Sequence, residues 1–66
     1  MGPITIDALR NEVGSYIEAA KSASGDSAIR FLNRAETALL SYDGVPERFI
    51  KTYMRLIKDI REDLKQ

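Results

Sequence analysis

The chain has 66 residues, ten basic and ten acidic, with 44% apolar residues and neither His nor Cys. So short a chain makes one domain at most and buries only about 60% of the surface its unfolded form exposes, which leaves self-association as a route to added stability. Without His or Cys there are no disulfides and none of the usual zinc or haem ligands, and the zero net charge gives no overall attraction to nucleic acid or anionic lipid.

The first predicted helix covers about residues 6–23. Ile6, Leu9, Val13, Tyr16, Ile17, Ala20 and Ala23 recur at three- and four-residue steps and form one apolar stripe. Thr5 is its expected N-cap, Asp7 suits the positive end of the helix dipole, and Ile4 and Leu9 stand at the positions of a hydrophobic staple. Gly14 costs about 1 kcal/mol against Ala inside a helix, and close approach of a neighbouring helix or simple tolerance of the glycine is the expected reason for it.

The segment "SASGDSA" breaks the pattern. Gly25 suits the left-handed position past a helix end, and Asp26 or Ser27 can cap the helix that follows. The second predicted helix covers about 27–42, with Ala28, Phe31, Leu32, Ala35, Leu39 and Tyr42 as its stripe. Ile29 and Leu40 fall together on a flank of that stripe and widen the apolar arc to nearly half the circumference. A candidate partner patch is one reading of this flank.

"DGVPE" makes the second break, with Asp-Gly favouring a turn and Pro46 tolerated in a first helical turn. The third predicted helix covers about 46–64, with Phe49, Ile50, Tyr53, Leu56, Ile57, Ile60 and Leu64 on its apolar face. Three helices of similar length joined by short turns predict an all-α, up-down-up three-helix bundle forming a single domain over residues 1–66.

Nothing in the chain supplies a catalytic constellation, a phosphate-binding glycine loop or metal-ligand spacing. The sequence therefore predicts a non-enzymatic domain with no cofactor and no metal. The acidic cluster of Asp59, Glu62 and Asp63 reads as solvated surface. No apolar run approaches the roughly 20 residues of a membrane span. "MGPITID" lacks the basic and apolar regions of a signal peptide, and Ile6 stands where myristoylation requires Ser or Thr. A soluble cytoplasmic protein is the expectation.

Function is left to surfaces. Arg48, Lys51, Arg55 and Lys58 recur at steps of three, four and three, so they share one face of the third helix, with Arg61 at its edge. No acidic residue interrupts Arg48–Lys58, and residues 47–65 hold six basic and four acidic residues, a net +2. Met54 lies off the main apolar arc between Lys51 and Lys58, where a deformable apolar side chain suits a binding surface.

The stretch "LLSYDGVPERFIKTYM" resembles the DNA-binding helix-turn-helix motif over about sixteen residues. Gly44 falls at the turn, Val45 takes the apolar turn position, and Ile50 stands where an inward residue of the second helix belongs. Asp43, Leu40 and Tyr53 depart from the pattern. The resemblance implies a recognition helix that presents Arg48, Lys51 and Arg55 to a major groove or to phosphates. The alternative, which neutral charge and the apolar spots favour, is a protein-interaction or adaptor module. It would act through Arg48, Lys51, Met54, Arg55 and Lys58, with Ile29 and Leu40 as a second patch, on a protein partner or on its own copy.

Overall fold

Thr5 opens the first helix as its chemistry requires, with its Oγ1 accepting from the amide of Ala8 at 3.1 Å. The computed structural model describes residues 3–65 and places there three helices, α1 (Ile6–Ser22), α2 (Asp26–Ser41) and α3 (Glu47–Leu64). Each boundary lies within one residue of its predicted place. The half-buried Ile4 packs against the core, as a staple residue should.

The turns work somewhat differently from the expectation. Gly25 does not close α1, which ends on Ala23 in extended backbone, its amide donating to the Ala19 and Ala20 carbonyls. With φ 59 and ψ −134, Gly25 instead sits at the N-cap of α2, a conformation that L residues rarely adopt, and Asp26 is already helical. Gly44, at φ 76, turns the chain between α2 and α3, and Pro46 stands just outside α3 as its N-cap.

The helices alternate in direction. The Tyr42 hydroxyl at the end of α2 donates to Glu12 Oε1 near the start of α1, at 3.2 Å. Arg61, near the end of α3, reaches back to the middle of α2, donating through Nη2 to Asn33 Oδ1 and to Glu36 Oε2, both at 3.1 Å. The molecule measures 35 × 17 × 16 Å. An 18-residue helix is about 27 Å long, longer than either short dimension, so α3 runs along the long axis beside α2. A helix-turn-helix pair instead crosses at roughly 90–120°.

Packing is uneven. Leu9, Val13, Ile17 and Ala20 of α1 interlock with Leu32, Ala35, Ala38 and Leu39 of α2, while α3 adds only Ile57 as a fully buried side chain. Phe49, Tyr53, Met54 and Ile60 of α3 are half-buried against this cluster. At the far end, Pro3 forms an isolated backbone bridge with Asp43, which ties the segment before α1 to the turn before α3. No helix among the described residues is long and apolar enough to cross a membrane.

Candidate functional site

With Ile57 at the centre of the buried side, a rotation of about 100° per residue places Arg48, Lys51, Arg55 and Lys58 on the outer half of α3. All four side chains are exposed. Lys51 meets Glu47 one turn earlier at 3.2 Å, a pair that solvent screens on both sides. Among the described residues, Arg48, Arg55 and Lys58 have no ion pair. Thr52 lies among them with its hydroxyl donating to the Arg48 carbonyl at 2.9 Å, which turns it onto its own helix and keeps the face low.

Two residues of the expected face point elsewhere. Met54 is half-buried and packs against the core, because about 60° of rotation from Ile57 still falls on the side that α2 covers. It is a core-edge residue and does not stand free among the charges. Arg61, expected at the edge of the basic face, is turned inward to bind Asn33 and Glu36. Its ion pair is about two-thirds buried on both partners, where a charge-assisted hydrogen bond outweighs an exposed one.

Leu56 shows the opposite change. It was expected on the inward face, yet it is 38% exposed. It lies about 100° from Ile57, beyond what α2 covers, and lines an open groove between α1 and α3 together with Tyr53 and Gly14. An added Cβ at Gly14 would meet nothing within 4 Å, so close helix approach is not the reason for that glycine. Phe49 and Tyr53 stack beside Leu56 with ring centroids 4.7 Å apart.

Ile29 and Leu40 do share a face of α2, but they do not meet. Eleven positions separate them, about 16 Å, and the Arg61 contacts with Asn33 and Glu36 fall between. Ile29 is half-buried, whereas Leu40 stands 63% exposed.

The polar chemistry elsewhere is sparse. Burial holds the Tyr42 hydroxyl above its ordinary pKa, reinforced by its hydrogen bond to Glu12 and by the charges of Glu12 and Tyr16. The acidic side chains of Asp59, Glu62 and Asp63 are exposed, and no cluster suited to a metal ion occurs among the described residues. What the outer side of α3 offers is guanidinium and ammonium donors beside one exposed leucine. Compared with known proteins, the chain matches no family model, no curated protein and no solved structure.

Proposed function

We propose that the chain is a non-catalytic binding module that recognises protein through the outer side of α3. The observation that carries this reading is the exposed Leu56, set among the exposed charges of Arg48, Arg55 and Asp59. An apolar contact rimmed by arginines suits a protein surface, since arginine is enriched in such interfaces and pairs with carboxylates in a fixed fork geometry. Lys51 and Lys58 extend the rim. Leu40 and Ile29 lie on a separate face, on α2, with the Arg61 contacts between them, and are secondary. The absence of Cys fits a cytoplasmic setting.

DNA binding through α3 is the competing reading. It rests on the four exposed bases and the turn sequence, and it is weakened by the neutral chain and by a third helix that lies along α2. A photo-cross-linking amino acid placed at Thr52 in the source cell separates the two. Adducts with protein, whether a second copy or another chain, are the expected result. Nuclease-sensitive adducts would replace this reading with the DNA-binding one, and a complete lack of adducts would overturn both.

A further inference from the structure

Between Glu47 and Lys65 the charges of α3 come in two blocks. Arg48, Lys51, Arg55 and Lys58 occupy the first part without an acid between them; Asp59, Glu62 and Asp63 follow, and the base among them, Arg61, is turned in onto α2. At the ends of α3, Glu47 in the first turn and Arg61 in the last match the helix dipole. Each block is complementary in charge to the other block of a second α3 running the other way.

We propose that α3 docks antiparallel on the α3 of a second copy of this chain, about a twofold axis at Leu56. Arg48 and Arg55 of each copy then face Asp63 and Asp59 of the other. The inference rests on the binding-module reading above and names its partner.

The spacing supports this register. At 1.5 Å per residue, Arg48 lies about 12 Å before Leu56 and Asp63 about 10.5 Å after it, while Arg55 and Asp59 lie about 1.5 and 4.5 Å on either side. The mismatches of about 1.5 and 3 Å fall within the reach of an arginine side chain. At 100° per residue, Arg48, Thr52, Arg55, Leu56, Asp59 and Asp63 share an arc of about 100°, and all six are exposed. Arg55 and Asp59 are one turn apart on the same helix, yet among the described residues none of the four facing charges is in an ion pair.

At the axis, Leu56 meets its own copy with the low Thr52 beside it, and Gly14 keeps the α1 wall of the groove low at the same level. The apolar area is small and the ion pairs face solvent, so the dimer is weak and sensitive to salt.

Sedimentation equilibrium of the intact chain from about 10 μM to about 1 mM, at about 20 mM and about 500 mM salt, tests the pairing. The mass should rise from 7.4 kDa towards twice that value at low salt and fall back at high salt. Arg55→Glu and Asp59→Lys should each weaken association about tenfold or more, since each reversal acts twice across the axis, and the double swap should restore it. Because the chain has no Cys, Leu56→Cys should oxidise to a covalent dimer much faster than Leu40→Cys. A monomer at the highest concentration and low salt would overturn the proposal, as would a swap that fails to rescue or equal cross-linking at the two leucines. A monomer that still gives adducts with another protein from Thr52 would end this inference and leave the binding-module reading standing; a monomer with no adducts would end both.

Discussion

Replacing Ile57 with alanine should cut the fastening of α3 to the rest of the molecule. Ile57 is 1% exposed and is the fully buried side chain that α3 contributes to the core. The substitution removes three carbon atoms, worth about 2.4 kcal/mol of transfer free energy at about 0.8 kcal/mol each. A partly collapsed cavity adds to that, which brings the loss to about 3–4 kcal/mol within the usual range for such truncations. A domain of 66 residues has about 3–10 kcal/mol in total, so the variant should lose from about a third to all of its stability. The assay is urea unfolding followed by circular dichroism, at a protein concentration of a few μM where association contributes least. Leu56→Ala is the internal control. It removes a similar apolar volume one position away from a side chain 38% exposed, and should cost about 1 kcal/mol or less. Equal losses at the two positions, or a loss under about 1 kcal/mol at Ile57, would refute the packing described for α3.

Two further perturbations test other parts of the structure. Gly14→Ala should stabilise the monomer by about 0.5–1 kcal/mol, because the new methyl enters open space and alanine is the better helix former; a lowered melting temperature would show that something does approach that position. Tyr42 should ionise above the ordinary tyrosine range, so the folded state holds its proton where the unfolded state has lost it. The stability this contributes is fully present below about pH 10, the ordinary tyrosine value, and is lost as pH rises through the higher folded value. Ultraviolet titration of the wild type against Tyr42→Phe reads this directly, and a Tyr42 that titrates with the other tyrosines would contradict it.

Much of the fold is legible in the sequence because α1 and α2 bury the centres of their stripes and half-bury the flanks. Leu9, Val13, Ile17 and Ala20 repeat at helical spacing and are all buried, and so are Leu32, Ala35 and Leu39. The same rule overstates α3. Seven residues share its apolar arc, yet only Ile57 is fully buried and Leu56 and Leu64 are each 38% exposed. Periodicity tells which side chains point the same way; it does not tell how many neighbours lie there to cover them. Ala38 was overlooked for a related reason, since alanine carries little apolar signal even where close packing buries it. The candidate face was read from spacing alone, and its four outer bases are where spacing put them. Met54 and Arg61 were misplaced because a helical wheel has no knowledge of which flank α2 occupies.

The bridge between Pro3 and Asp43 closes the chain into a loop around the α1–α2 hairpin. The main packing joins neighbours in sequence, α1 on α2 and α2 on α3, and such local topologies fold in microseconds to milliseconds. Pro3 and Asp43 stand forty positions apart and close against each other only after α1 and α2 have paired end to end. The backbone of this short lead-in therefore acts as a latch that registers completion of the first hairpin of helices. A change that parts the start of α1 from the end of α2 breaks this backbone bridge as well.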